Sequence, residues 1–347
     1  MKILYIGASS KGSTSRHRAD ALERLGHQIT IYDPYLFLKP QLSHKVFGPL
    51  HFRSGYRFLQ NKLICWIKRI LINVEKTDLI WVDNGELFGD KIVQILGEND
   101  KKIILYNHDD PTGGRDGHRF DSLIKAIPFY SACTVVRNLN IDEFYNLRAK
   151  KVIKVWMSYD ELVHSPFENK NDIDNKYIAD VVFIGTWMRH EGRDKFLLQL
   201  IDAGLNVRIW GQRWEKSPYW SQLKEHVAGG ALSGRDYVAA IQGAKVCLGL
   251  LSKGNRDLHT TRSMEIPYAG GVFCAQRTTE HLELYQENVE AVFWDDVDEC
   301  ISQCKKLVTD DLFRESVRSA GMQRVRKNKL GHEDQCRIIL NKISKLS

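Results

Sequence analysis

Asn255-Arg256-Asp257-Leu258-His259-Thr260-Thr261-Arg262-Ser263-Met264-Glu265-Ile266-Pro267-Tyr268-Ala269-Gly270-Gly271-Val272-Phe273-Cys274-Ala275 reads as a polar loop, a short helix opened by Thr260 or Thr261, a stop at Gly270-Gly271, and a buried strand. A helix start exposes unpaired N–H groups and the positive end of the helix dipole. Two threonines and Arg262 stand at that end, a set suited to a phosphate or diphosphate. Glu265 follows one turn later and Asp257 precedes it by eight residues. Two carboxylates at this spacing, with Gly270 five residues beyond the second, form an ordered set that fits a nucleotide-sugar site.

Outward from this stretch the same grammar repeats. Lys2 to Gly7 is a short apolar run ending in glycine, then a Gly- and Ser-rich loop to Ser15, a helix over about 16–25, a Gly26-His27 stop and a strand over 28–32. This β-loop-α-β opening belongs to a doubly wound sheet. Further strands are expected at 79–82, 102–106, 134–136 and 152–155, and a helix over 56–74 with Leu59, Leu63, Trp66, Ile67, Ile70 and Leu71 on one stripe. From Asp160 to Lys176 the chain turns polar, marking a connection. A second doubly wound set begins with a strand at 181–184, a helix at about 193–203 and a strand at 207–210, and continues with strands at 246–250, 272–275 and 292–293. Residues from about 307 read as helices. The expected domains are 1–158, a linker 159–177, a second domain 178–330, and a final helix 331–347.

The Asp257–Gly270 stretch resembles the donor-binding core of group 1 glycosyltransferases, built around Glu-x7-Glu followed by a small-residue helix and Gly. It is more similar still to the branch containing CgeB-type spore-maturation proteins, where the motif shortens to Arg-x-Phe-Glu followed by Gly. Here the residues are Arg262-Ser263-Met264-Glu265 with Gly270 in place, and the first acidic position is Asp257 instead of Glu. The resemblance covers most of 180–300 and, more weakly, the N-terminus. It implies the GT-B fold: two facing Rossmann-like domains, the last helix crossing back to the N-terminal one. It also implies transfer of a sugar from a nucleoside diphosphate to a glycan, lipid-linked or protein acceptor, in cell-envelope or spore glycan synthesis.

Candidate site residues follow from both readings. Gly185 ends a strand, and the loop after it carries Arg189 before Arg193-Asp194-Lys195-Phe196-Leu197, similar to the family's Arg-x-x-Phe-Leu. Arginine suits diphosphate because it is always charged and donates paired hydrogen bonds; the plainer reading is solvated surface charge. Arg213, in Trp210–Trp214, resembles a segment bordering the nucleotide base, although its aromatics read equally as core. Thr260, Thr261 and Arg262 are expected on the diphosphate, Glu265 on the ribose, and Asp257 on the reacting sugar. In the first domain, Gly12 and Ser13 are donor-binding candidates, because the resemblance implies that the Gly7–Ser15 loop closes over the donor sugar or its acceptor; the loop lacks a G-x-G-x-x-G fingerprint and reads as well as a plain strand-to-helix turn. His108 and Asp110, in Tyr106-Asn107-His108-Asp109-Asp110-Pro111, close a strand. The resemblance places a histidine here against the donor sugar, an aspartate here can act as a general base, and a turn before Pro111 is the alternative. Asp83–Glu86 reads first as a turn. No metal and no cofactor beyond the nucleotide sugar are expected, since arginines and a helix start can take the leaving diphosphate's charge.

The bulk composition sets limits. At 347 residues, 43% hydrophobic and 27% charged, the chain is that of a two-domain globular protein, with no apolar run near the ~20 residues that cross a bilayer. Seven cysteines without a Cys-x-x-Cys pair read as reduced thiols of a cytoplasmic protein; Cys300 and Cys304 share a helix face with no histidine at zinc-ligand spacing. The net charge of +7 concentrates in 44–76, where seven Lys and Arg face one acid among Phe47, Phe52, Tyr56, Phe58 and Trp66. Such a segment is expected to rest on an anionic membrane surface or a charged acceptor, placing the protein peripherally at the inner face of the membrane; a core-packed helix with a solvated basic side is the alternative. No RNA- or DNA-reading motif accompanies it, and nucleic acid is not an expected partner. The competing functions are a nucleotide-sugar epimerase or hydrolase on the same fold, and a non-catalytic sugar- or spore-coat-binding module.

Overall fold

The computed structural model describes residues 1–74, 77–98 and 100–345; Glu75 and Lys76, counted in the basic segment above, lie outside the described residues. The chain divides into two compact units, Met1–Trp156 with His332–Ser347, and Met157–Gly331. Each is built on one six-stranded, wholly parallel sheet.

Unit 1 contains β1 (Lys2–Ile6), β2 (Gln28–Tyr32), β3 (Leu79–Asp83), β4 (Ile103–Tyr106), β5 (Ala132–Val135) and β6 (Val152–Lys154), in the order β2-β1-β3-β4-β5-β6. The continuous apolar runs of β1, β3 and β4 are what a sheet covered on both faces requires; Leu79 to Asp83 is buried at every position. The apolar stripe of the 56–74 region packs into this core through Leu59, Leu63, Ile67 and Ile70. The expected single helix is broken at its start. Tyr56 takes a left-handed conformation, a 3-10 turn spans Arg57–Leu59, and the α-helix begins at Gln60. The helix His332–Ser344 packs on the opening helix Thr14–Arg24, with Arg24 Nε 2.7 Å from Glu333 Oε1.

Unit 2 contains β7 (Ala179–Ile184), β8 (Val207–Trp210), β9 (Val227–Gly229), β10 (Ala244–Gly249), β11 (Phe273–Gln276) and β12 (Val292–Trp294). Their order is β12-β11-β10-β7-β8-β9. Counted from β7 this is the 3-2-1-4-5-6 arrangement of nucleotide-binding sheets, and the order reverses between β7 and β10. The polar stretch 159–177 belongs to this unit. Phe167 N donates to Gln242 Oε1 (2.6 Å), and the Tyr177 hydroxyl donates to Asp236 Oδ1 (2.7 Å). Two doubly wound parallel domains with the last helix returned to the first constitute the GT-B fold. Among the described residues no helix is long and apolar enough to cross a membrane.

Candidate functional site

Open α/β sheets bind ligands beyond the carboxyl ends of their strands, where the strand order reverses. In unit 2 that point lies between β7 and β10, and two arginines converge on it. Arg193, first residue of the helix Arg193–Asp202, donates from Nη1 to Thr186 O (3.1 Å) and from Nη2 to Leu251 O (3.3 Å). One guanidinium thereby ties the loop after β7 to the loop after β10. Arg262 Nε donates to Ile184 O at 2.6 Å, and Arg262 forms no ion pair with a carboxylate among the described residues. Glu191 strengthens the same junction, accepting from Ser252 Oγ (3.2 Å) and Lys253 N (3.0 Å). Two positive charges are thus fixed by backbone carbonyls at the edge where an anion is expected.

The helix after β10 spans only Arg262–Tyr268, and neither threonine caps it through its side chain. The helix opens at Thr261 as expected, but through its backbone: Met264 N and Glu265 N donate to Thr261 O (2.9 and 2.8 Å), while Ser263 Oγ accepts from Thr260 N (3.0 Å) and meets His281 Nε2 at 2.9 Å. Pro267 lacks the N–H that would bond Ser263 O, and the Tyr285 hydroxyl donates to that carbonyl instead, at 2.6 Å. The helix ends as expected from the glycines. Gly270 has φ +85°, and Gly270 N and Gly271 N return to Pro267 O and Ile266 O, the paired bonds of a Schellman stop. The loop ahead of the helix is pinned by His259, whose Nδ1 lies 2.5 Å from Glu280 Oε2 while its Nε2 accepts from Met157 N (3.2 Å).

His281 is therefore a structural pillar of this loop, and its burial pushes its pKa down to about 4. Between the ordinary value of about 6.5 and 4, the unfolded chain binds a proton that the folded chain does not, so stability falls as pH drops through this window. About 2 kcal/mol should be lost by pH 5. Urea unfolding at pH 7 and pH 5 measures it: His281→Gln should show a smaller loss between the two than the parent, and an equal loss contradicts the assignment.

Glu265 is 6% exposed. Its Oε2 accepts from the Tyr237 hydroxyl (2.6 Å), and its Oε1 lies 3.9 Å from His164 Nε2. Burial, then the neighbouring Glu265 charge, push the Tyr237 hydroxyl well above its ordinary pKa, so Tyr237 stays a donor. Thr260, Thr261 and Asp257 are half-buried in the loop and at the helix start. Gly185 packs so closely over the Phe183 ring that a Cβ would lie 2.6 Å from it, and a Cβ on Gly211 would lie 2.0 Å from Gly185 O. Two strand ends approach here as only glycine allows. Arg189 and Arg213 are exposed. Arg189 lines a cavity of about 680 Å³ with Trp187, His190, Lys195 and Tyr219, whose wall does not include Arg193, Arg262 or Glu265. The structure therefore gathers Arg193, Arg262 and the 260–265 helix start, and sets Arg189 apart.

In unit 1, Ser13 caps the opening helix, accepting from Arg16 N at 3.1 Å, and Gly12 is exposed beside it. The Gly7–Ser15 loop is a strand-to-helix turn that Gly7 must occupy, since a Cβ there would meet Ser15 Oγ at 2.5 Å and Asp83 Cβ at 2.8 Å. Beneath it lies a constellation that sequence reading did not find. Asp83, at the end of β3, accepts from Arg18 Nε (2.7 Å) and Nη2 (3.0 Å), and the Tyr5 hydroxyl lies 2.7 Å from its Oδ2. The Arg18 guanidinium stacks 4.0 Å from the Tyr106 ring centroid. Burial would raise the Asp83 carboxyl, but Arg18 outweighs it and holds the group below the ordinary carboxylate range, with a smaller contribution from His108. Asn84 and Gly85 both have positive φ, making Asp83–Glu86 the expected turn. Glu86 in turn holds Arg119 Nε at 2.6 Å and the Tyr35 hydroxyl at 3.0 Å.

His108 and Asp110 part ways. His108 is half-buried after β4, and its Nδ1 is buried without a hydrogen-bond partner among the described residues. Asp110 is buried and accepts from Asn140 Nδ2 at 2.9 Å, which also bonds Thr112 and Glu143. In the basic segment, the helix stripe is core, but Val46 (69%), Phe47 (53%) and Phe58 (56%) are exposed, with Leu50 beside them. Arg53, Arg57, His118 and Lys125 line a nearby cavity of about 360 Å³ whose one acid is Asp121.

Residues 189–332 match the sequence profile of a family described as Glycosyl transferase-like, the part of the chain that carries Arg193, Arg262 and Glu265. No curated protein matches the chain by sequence. Among solved structures, sucrose-phosphate synthase from Thermosynechococcus elongatus superposes with a TM-score of 0.70 at 12% identity, covering 100% of both chains. HepE from Anabaena, in complex with UDP and glucose, gives 0.66 at 11% identity over 99% of each chain. The α,α-trehalose 6-phosphate synthase from Burkholderia multivorans gives 0.63 at 13% identity, covering 99% of this chain and 96% of its own. At these identities the likeness establishes the shared GT-B fold.

Proposed function

We propose that this protein is a glycosyltransferase that moves a sugar from a nucleoside diphosphate to an acceptor hydroxyl. The observation that carries the reading is the pair Arg193 and Arg262, anchored on Ile184 O, Thr186 O and Leu251 O at the strand-order reversal of unit 2. The match of residues 189–332 to a glycosyltransferase-like family supports it, as does the fold shared with HepE, whose structure holds UDP and glucose. In this reading the two arginines take the diphosphate, offsetting the charge that grows on the leaving group as the bond to the sugar breaks. Glu265, with one oxygen held by Tyr237, takes the ribose hydroxyls, and Asp257 in the adjoining loop takes the reacting sugar. Of His108 and Asp110, His108 carries the proton-transfer role, because Asp110 is bound to Asn140. The donor is UDP-linked by analogy with HepE, a point a panel of nucleotides settles.

Arg262→Ala is expected to weaken UDP binding by roughly ten- to a hundredfold, the loss of about 1.5–3 kcal/mol for a charge-assisted contact. Calorimetry is the measurement, with the melting temperature as control. Unchanged affinity for every nucleotide that binds the parent removes the site from Arg262.

The exposed Val46, Phe47, Leu50 and Phe58 beside Arg53 and Arg57 favour a second element of the proposal, contact with an anionic membrane where a lipid-linked acceptor would be presented. Flotation with liposomes is expected to rise with anionic lipid and fall with salt, and to weaken in Phe47→Ser/Phe58→Ser. Binding insensitive to both leaves the segment a solvated surface.

A further inference from the structure

Cys274 on β11, and Cys300 and Cys304 one turn apart on the helix Val297–Thr309, meet in the core of unit 2. Their sulfurs all lie within 4.8 Å of one another, with Cys300 Sγ and Cys304 Sγ 4.0 Å apart, and all three residues are fully buried. Helical i, i+4 spacing places Cys300 and Cys304 on one face, and the pairing of Cys274 with Val292 sets β11 in the same core. Three sulfurs around one ion at about 2.3 Å, in a plane, stand about 4.0 Å apart. The Cys300–Cys304 separation has that value. The geometry points to a trigonal, all-sulfur site for a soft monovalent cation, copper(I) being the physiological member of that class.

Charge and ligand count choose the ion. Structural zinc takes four ligands, whereas among the described residues the cluster offers three cysteines and no fourth histidine or carboxylate. The surrounding cluster is hydrophobic, with Val246, Leu248, Val292, Trp294 and Leu307 among its members. A net charge buried in such a place is strongly disfavoured. A monovalent ion that displaces one proton, forming a metal–sulfur bond at one thiolate while two thiols donate lone pairs, leaves the unit neutral; the proton goes to solvent. Soft thiolate donors favour copper(I) over hard cations.

The test uses the full-length protein, with copper(I) offered as its bicinchoninate complex under reducing conditions. One arm uses the folded protein and the other offers copper during refolding, so that burial does not decide the outcome. Native mass spectrometry is expected to find one copper per chain in at least one arm, lost in Cys274→Ser and Cys304→Ser and retained in Cys65→Ser, whose thiol is exposed. Should the core variants fail to fold, X-ray absorption on the loaded parent is expected to find three sulfur neighbours and no nitrogen or oxygen. No copper in either arm, copper retained in both core variants, nitrogen or oxygen ligands, or a chain two hydrogens lighter through a disulfide among these cysteines would each overturn the proposal.

Discussion

Asp83→Ala is expected to cost unit 1 about 3–5 kcal/mol, because removing one member of a buried ion pair leaves the other charged and unsolvated. Arg18 would lose two hydrogen bonds at 2.7 and 3.0 Å, keeping only its stacking on Tyr106. Replacing both partners with leucine should cost less than the single change, since apolar pairs of similar volume escape the penalty of a stranded charge. The pH dependence has a definite sign. A carboxyl held below its ordinary range contributes stability that is present above about pH 3.9 and is lost as pH falls through its folded value. Urea titration of parent, single and double variants is the measurement. A single variant within about 1 kcal/mol of the parent would falsify the claim that this pair is electrostatically tense.

His108→Ala is expected to reduce sugar transfer by about 10²-fold or more while leaving UDP affinity nearly intact, the signature of a positioned proton-transfer group. His108 belongs to unit 1 and the arginines assigned to the diphosphate belong to unit 2, so nucleotide affinity has no reason to follow the histidine. His108 is only half-buried after β4, so part of its side chain stays open to a substrate. Asp110→Asn should have the smaller effect on turnover, with its chief consequence in the stability of the loop that Asn140 holds. Steady-state kinetics and calorimetry on the two variants separate these outcomes, and equal turnover in His108→Ala and the parent would move the catalytic role elsewhere in unit 1.

The sheets and the arginines were legible because short-range signals carry them. Apolar runs ended by glycine announce parallel strands, and an arginine at the start of the next helix lies at the sheet edge, whereas Arg189 and Arg213, in the loops just past such ends, are exposed. Arg193 and Arg262 follow that rule. Other members of the sites were silent because their partners are remote in sequence. Arg18 meets Asp83 across 65 residues and Tyr237 meets Glu265 across 28, with no local pattern to connect them. His164, 3.9 Å from Glu265, sits in a polar stretch whose composition reads as a connection. Cys300 and Cys304 were visible as a helical pair, but Cys274 comes from a strand, and no spacing rule links it to them. That Thr261 opens the helix without a side-chain bond has a comparable origin: Ser263, two and three residues beyond the candidate caps, bonds Thr260 N while His281 from the following helix holds it in place.

The return of the last helix to the first unit carries a consequence for synthesis of the chain. Arg24 and Glu333, joined in the folded protein, are separated by 309 residues. A ribosome adding about 5–20 residues per second needs roughly 15–60 s to travel between them. Throughout that interval the opening helix has emerged without the helix that covers it, whereas unit 2 is one uninterrupted stretch from Met157 to Gly331. The nascent chain therefore completes its second lobe before its first, and any chaperone that attends it has the surface around His17 and Arg24 to shield until the helix His332–Ser344 has emerged.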